Sequence, residues 1–166
     1  MILICYDGSE DAKAAIEQAG ELLNCQPAVV VTVRQPFAEF PATAPSGFGP
    51  APGLPDIDAA ENGSRTAADE LAMEGAELAR QAGFNAEPRT CTRVATTAKT
   101  ILSAAEEIGA TAIVMGSRGR GGLKSALPGT VSHAVIQDAD RTVIIVPSPE
   151  VAGARGRDRH AIARSQ

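Results

Sequence analysis

The chain has 166 residues, which is enough for one domain with a buried core and too few for two well-packed domains. Its formal net charge of -5 divides into about +3 on the arginine-rich segment 151–166 and -8 on the rest. An acidic body argues against general nucleic-acid binding, which needs a basic surface. We expect residues 149–166 to form a disordered basic tail, with contact to an anionic partner as the alternative.

The cysteines and the N-terminal segment exclude several further classes. Cys5, Cys25 and Cys91 include no C-x-x-C pair and have no neighbours at metal-ligand spacing. This pattern argues against a zinc site and against a disulfide framework, so no metal ligands are predicted. The segment 1–9 has no basic leader and its apolar run stops after Tyr6, so we expect neither a secretory signal nor a membrane span. These features predict a cytoplasmic protein.

Strand and helix patterns alternate along the chain, which predicts a parallel sheet covered by helices. The apolar run 1–6 predicts a buried first strand, and Ser9 is a candidate helix N-cap. A second buried strand is predicted over 28–33. The apolar face of the helix between the two strands consists of Ala12, Ile16, Ala19 and Leu23.

The segment 34–62 is rich in proline and glycine and has no hydrophobic period. A loop of this length inside a domain is a lid, an interaction segment or disordered chain, and the sequence leaves these alternatives open. Two helices are expected after this loop, one over 68–82 that Gly83 ends and one over 98–108 that Gly109 ends. A weak edge strand is expected between them, within 85–93. The remaining expected elements are a strand over 112–115, a helix after Gly129, and a strand over 142–146 that Pro147 ends.

The most informative segment is 116–130, with the sequence GSRGRGGLKSALPGT, between an apolar strand and a helix. Glycines let main-chain N–H groups approach an anion closely, and the free N–H groups of a helix's first turn favour negative charge. Arg118, Arg120 and Lys124 add cations to the segment. The pattern indicates a phosphate-binding loop, and an ordinary flexible connection is the alternative.

A second loop is expected to face this one. In open α/β sheets, ligands bind beyond the carboxyl ends of the strands, where the strand order reverses. Asp7 follows the first strand, and Gly116 follows the fourth. If these two strands are neighbours, the Asp7 side chain and the glycine loop lie on opposite sides of one crevice.

Two common nucleotide motifs fail in the loop. A P-loop needs a glycine where Leu123 precedes the lysine, and a dinucleotide fingerprint starting at Gly119 ends on Lys124 instead of glycine. The pattern that fits is G-x-x-G, nine residues and then G-[ST]. It is formed by Gly116, Gly119, Gly129 and Thr130.

This spacing, with Asp7 after an N-terminal strand, resembles the ATP-binding branch of the universal stress protein family over residues 1–147. The resemblance implies an α/β domain over residues 1–148, a three-layer sandwich with helices on both faces of a five-stranded parallel sheet of order 3-2-1-4-5. It also implies a homodimer joined through the last strand, 142–146. The sequence departs from the family pattern at Cys5 and Tyr6, and Tyr6 is a candidate to crowd the adenine side.

The resemblance also implies a set of ATP contacts. Asp7, Val33, Met115 and Gly116 would contact the adenosine moiety, Arg118 and Gly119 would lie near the ribose or phosphates, and Gly129, Thr130, Val131 and Ser132 would surround the triphosphate. Magnesium is a possible companion ion. No catalytic residue is predicted, since no base accompanies Asp7 and His133 has no partner for catalysis.

Three classes of function remain open. The first is an ATP-binding stress-response or regulatory protein whose nucleotide occupancy or dimer state is the output. The second is a slow ATPase or nucleotidyl-transfer enzyme that uses the same pocket. The third is an interaction module with a vestigial pocket, which would use the proline-rich loop or the edge of the last strand.

Overall fold

The computed structural model describes residues 1–23, 26–36, 57–119 and 130–153. Within these ranges five strands and four helices alternate along the chain. The strands are β1 (Ile2–Cys5), β2 (Pro27–Arg34), β3 (Asn85–Thr92), β4 (Ala112–Gly116) and β5 (Thr142–Val146). The helices are α1 (Glu10–Leu23), α2 (Ile57–Gln81), α3 (Thr97–Glu107) and α4 (Thr130–Asp138).

The five strands form one parallel sheet of order β3-β2-β1-β4-β5, which confirms the predicted order. Ile4 of β1 is in register with Val30 of β2 and with Val114 of β4, and all three side chains are fully buried. Fully apolar strands suit a sheet that is covered on both faces. The strand order reverses between β1 and β4, so their carboxyl ends lie side by side.

Side-chain alternation along the strands divides the core into two layers. Ile2, Ile4 and Tyr6 pack with α1 and α2 on one face of the sheet. Leu3 and Cys5 pack with α3 and α4 on the other face. The predicted three-layer arrangement, with helices on both faces, is therefore confirmed.

The helix boundaries follow the predicted capping residues. The Ala12 N–H donates to the Ser9 hydroxyl at 3.2 Å, so Ser9 is the N-cap of α1. After α2 and α3 the chain turns through Gly83 (φ 96°) and Gly109 (φ 61°), a left-handed conformation that glycine adopts without strain. The Phe84 N–H donates to the Ala79 carbonyl at 3.0 Å and closes the end of α2.

The two edge strands differ in character. β3 carries charged side chains and Pro88, which has no N–H to offer a further strand. β5 has the sequence TVIIV, and its residues 143–145 are half-buried. The weak third strand is thus an edge strand, as predicted, and the apolar β5 forms the opposite edge.

The expected loop 34–62 is too long at both ends. Arg34 is the last residue of β2, and α2 begins at Ile57, so the helix extends eleven residues before the predicted start at Ala68. An ion pair between Arg34 and Glu61 joins this extension to the sheet. The extension is largely exposed, so its sequence lacks the periodic apolar residues of a helix that packs on a core. The prediction depended on that periodicity and therefore missed the extension. Residues 37–56 lie outside the described part of the chain.

The expected disordered tail, 149–166, is wrong for its first residues. Residues 149–153 form a helical turn in which the Ala152 N–H donates to the Ser148 carbonyl at 2.9 Å. Val151 is buried, which supplies apolar contact that a solvated tail would lack. Residues 154–166, with all of the tail's arginines, lie outside the described residues.

Candidate functional site

The crevice between the carboxyl ends of β1 and β4 brings the two predicted loops together. A Cβ atom added to Gly119 would lie 2.6 Å from Oδ2 of Asp7. The Ser9 hydroxyl also donates to the main-chain oxygen of Arg118, at 3.4 Å. The aspartate loop and the start of the glycine loop are therefore in contact, and a side chain at position 119 would collide with the Asp7 carboxylate.

The Asp7 carboxylate is oriented by its own turn. Its Oδ1 atom accepts a hydrogen bond from the Ser9 N–H at 3.0 Å. Between them Gly8 has a φ of 79°, in the left-handed region that other residues rarely adopt. This turn holds the carboxylate at the mouth of the crevice, directly before the N-terminus of α1.

Apolar side chains lie below the mouth of the crevice. Cys5, Val33 and Met115 belong to the same cluster on the α3 and α4 face of the sheet. Burial, and then the negative charge of Asp7, raises the pKa of the Cys5 thiol far above its ordinary value. Cys5 is therefore a neutral, small apolar group at neutral pH, as predicted from its place in an apolar strand.

Tyr6 does not enter the crevice, so the expectation that it crowds the adenine side is wrong. Strand alternation directs its side chain to the opposite face, where the hydroxyl donates to Glu74 Oε1 at 2.6 Å. A Cβ atom added to Gly75 of α2 would lie 2.6 Å from the Tyr6 ring. Gly75 thus provides the space that the ring occupies.

Gly116 ends β4 against the first turn of α1. A Cβ atom added there would lie 2.7 Å from the Asp11 carbonyl carbon and 2.8 Å from the Ala12 nitrogen. The absence of a side chain at this position lets α1 pack directly on β4. The contact fixes the distance between the N-terminus of α1 and the start of the glycine loop.

The predicted phosphate residues lie on both sides of a gap in the described chain. Gly129, Arg120 and Lys124 lie outside the described residues. Thr130 begins α4 and is exposed, and Val131 is half-buried. Ser132 is buried, and its hydroxyl donates to the main-chain oxygen of Ser117 at 3.2 Å. The contacts of these residues with a triphosphate stay predictions.

Two buried polar residues near the crevice were not predicted. The Ser117 hydroxyl donates to Oδ2 of Asp11 at 2.7 Å, and both side chains are buried. The sequence analysis assigned no role to Ser117. A usable signal existed for Asp11, because it precedes Ala15 and Ala19 at four-residue steps and so lies on the buried face of α1.

Comparison with known proteins identifies the family. The model of the universal stress protein family matches residues 1–147. The chain belongs to the universal stress protein family. No curated protein matches it in sequence. Among the residues that the structure describes, no helix combines the length and the apolar character needed to cross a bilayer.

Solved structures of the family have the same fold. A universal stress protein from Archaeoglobus fulgidus is 26% identical, with a TM-score of 0.57 over 87% of this chain and 91% of that one. The structure of the Archaeoglobus fulgidus protein in complex with dAMP is 24% identical, with a TM-score of 0.55 over 87% and 95% of the two chains. A universal stress protein in complex with cAMP is 20% identical, with a TM-score of 0.61 over 89% and 96%.

Proposed function

We propose that this protein binds ATP in the crevice between β1 and β4 and acts as a regulatory stress-response protein. The observation that carries the proposal is the contact between Gly119 and Asp7, where an added Cβ would lie 2.6 Å from the carboxylate. This contact joins the two loops at the point where the strand order reverses, which is the usual ligand position in such sheets. The dAMP and cAMP complexes of related proteins support an adenine nucleotide.

The chemistry of the crevice suits the parts of a nucleotide. The apolar side chains of Val33 and Met115 suit a purine, and the Asp7 carboxylate can accept hydrogen bonds from ribose hydroxyls or an exocyclic amine. The Arg118 guanidinium and the N-terminus of α4 suit phosphate oxygens. Asp7 would serve as a magnesium ligand only in the alternative orientation in which the triphosphate, not the adenosine moiety, lies beside it.

The first experiment identifies the ligand. We expect mass spectrometry of the denatured protein to release an adenine nucleotide, and calorimetric titration of the emptied protein to show ATP binding that GTP does not match. Asp7→Ala should weaken ATP binding about tenfold or more, because it removes a charge-assisted hydrogen bond. Glu87→Ala is the control, since it removes an exposed carboxylate of β3. Equal ATP affinities for the two variants would contradict the proposed site.

The same preparation tests the enzymatic alternative. Phosphate or pyrophosphate release above about one turnover per minute would indicate catalysis, although this is slow for an enzyme. Tight ATP binding without release would favour the regulatory class, in which occupancy itself is the output.

We also propose that the protein is a homodimer joined through β5. The apolar sequence of this edge strand supports pairing with its copy across a twofold axis. Light scattering at micromolar concentration should give twice the chain mass of 17.0 kDa, and a monomer would contradict the proposal. Cytoplasmic localisation stays a prediction.

A further inference from the structure

The Ser117 residue lies between two predicted nucleotide contacts, Gly116 and Arg118, and has no exposed surface. Its main-chain N–H donates to the Val146 carbonyl of β5 at 2.8 Å. Its hydroxyl donates to Asp11 of α1 at 2.7 Å. Its main-chain carbonyl accepts a third hydrogen bond, from α4. The N–H, hydroxyl and carbonyl groups of Ser117 are therefore bonded to β5, α1 and α4.

The bond from α4 comes from Ser132, whose hydroxyl donates to the Ser117 carbonyl at 3.2 Å. Asp11, Ser117 and Ser132 are 6%, 0% and 2% exposed. Because water cannot replace a lost partner at buried groups, removing either hydrogen bond would lower the free energy of unfolding. The Ser117 side chain makes the bond to Asp11, and the Ser117 main-chain carbonyl accepts the bond from Ser132. These three residues, which we name the serine relay, connect the first turn of α1 to the first turn of α4 through the residue that follows β4.

The position of the relay matters because the first turn of α4 provides the free N–H groups of the proposed phosphate site. Those groups stabilise an anion only when they point at it, and a displacement of about 1 Å in a binding group is enough to weaken its contribution severely. α4 is short, with nine residues from Thr130 to Asp138. Val131, Ala134 and Val135 pack this helix into the apolar cluster that it shares with α3, and the bond from Ser132 to the Ser117 carbonyl adds a polar contact between its first turn and the residue after β4.

We infer that Ser117 is a positioning residue for nucleotide binding. It holds the N-terminus of α4 and the start of the glycine loop at a fixed position relative to α1, through its bond to Asp11. This inference deepens the proposed function and rests on it. In this proposal Ser117 would not contact the nucleotide itself, because its N–H, hydroxyl and carbonyl groups are already bonded to Val146, Asp11 and Ser132. Asp11 acts through Ser117 in the same way.

The test uses the full chain and measures ATP affinity by calorimetry together with amide hydrogen exchange in the absence of ligand. Ser117→Ala and Asp11→Ala should each weaken ATP binding about tenfold, and the double variant should lose no more than about threefold beyond either single variant. Asp11→Asn should stay within about threefold of the parent chain, because its amide oxygen can still accept the Ser117 hydroxyl. If Ser117→Ala fails to fold, the two Asp11 variants carry the test.

A matched control separates positioning from stability. Tyr6→Phe removes another hydroxyl hydrogen bond, the one to Glu74, on the opposite face of the sheet. It should lower the free energy of unfolding and leave ATP affinity within about twofold of the parent chain. A tenfold loss of affinity in this control, or none in Asp11→Ala and Ser117→Ala, would overturn the inference.

Hydrogen exchange distinguishes failure of this inference from failure of the proposed function. Ser117→Ala keeps the main-chain carbonyl that accepts the Ser132 hydroxyl but removes the bond that anchors residue 117 to Asp11 of α1. The amides of residues 133–136 in α4 should therefore exchange at least about tenfold faster, while the amides of β2 change less. Equal acceleration in α4 and β2 would mean general destabilisation and would refute the positioning role. If the parent chain binds no ATP, the proposed function fails, and the α4 to β2 comparison still decides whether Ser117 holds the loop and helix.

Discussion

Gly119→Ala is the substitution that most directly tests the geometry of the crevice. The added Cβ would lie 2.6 Å from Asp7 Oδ2, whereas ordinary van der Waals contact begins at 3.4 Å, so the carboxylate oxygen must move by about 0.8 Å. The atom that must move is the end of a side chain, so we expect the free energy of unfolding to change by less than about 1 kcal/mol. Nucleotide affinity depends on where that carboxylate lies, and we expect it to fall about 10- to 100-fold, or about 1.4 to 2.8 kcal/mol.

The assay is calorimetric ATP titration of Gly119→Ala beside urea unfolding, with Gly63→Ala as the matched control. Gly63 lies in α2, and an added Cβ there meets no atom within 4 Å, so this variant should bind ATP normally. It should also gain up to about 1 kcal/mol in stability, because alanine favours a helix interior more than glycine does. ATP affinity in Gly119→Ala equal to that of Gly63→Ala would refute the reasoning.

Three further predictions concern stability. Gly75→Ala should lower the free energy of unfolding by about 1–3 kcal/mol, because the added Cβ would lie 2.6 Å from the Tyr6 ring; urea denaturation checks this, and a rise would contradict it. Ser9→Ala should lower the free energy of unfolding by about 1 kcal/mol, because it removes the N-cap of α1. Urea denaturation measures this as well, and an unchanged midpoint would contradict the prediction. Because burial raises the pKa of Cys5, its contribution to stability is complete below the ordinary value of 9.0 and is lost as pH rises above it, by up to about 1.4 kcal/mol per pH unit. The free energy of unfolding measured from pH 8 to pH 11 should therefore decline more steeply in the parent chain than in Cys5→Ala, and parallel declines would count against a neutral thiol at position 5.

The features that could be predicted from the sequence are those with a local signal. The apolar runs of the strands and the three- and four-residue spacing of Ala12, Ile16 and Ala19 gave the sheet and the α1 packing face, which the structure confirms. The strand order was implied by the family resemblance and is also confirmed. The start of α2 was missed because its first turns are largely exposed and include Gly63, so no hydrophobic period marks them.

The parts of the site that depend on long-range contacts had no such signal. The Asp11 and Ser117 side chains are separated by 106 positions, and nothing near either residue indicates that they meet. The direction of Tyr6 was also misjudged. It follows from alternation along β1, yet the space that receives the ring is created by Gly75 of α2, which the sequence analysis treated only as a member of an apolar face.

The unequal edges of the sheet limit how copies of this chain can assemble. Pairing of a further strand with β3 is disfavoured for two reasons. Pro88 has no N–H to donate to such a strand, and burying the neighbouring charged side chains against an apolar strand would be unfavourable. Only the β5 edge offers an uninterrupted apolar strand among the described residues. Twofold pairing there would consume both such edges and give a continuous ten-stranded sheet with β3 at each end. An assembly built in this way would be complete at two subunits. It would leave no unpaired apolar edge strand to which further copies could add to form a fibre.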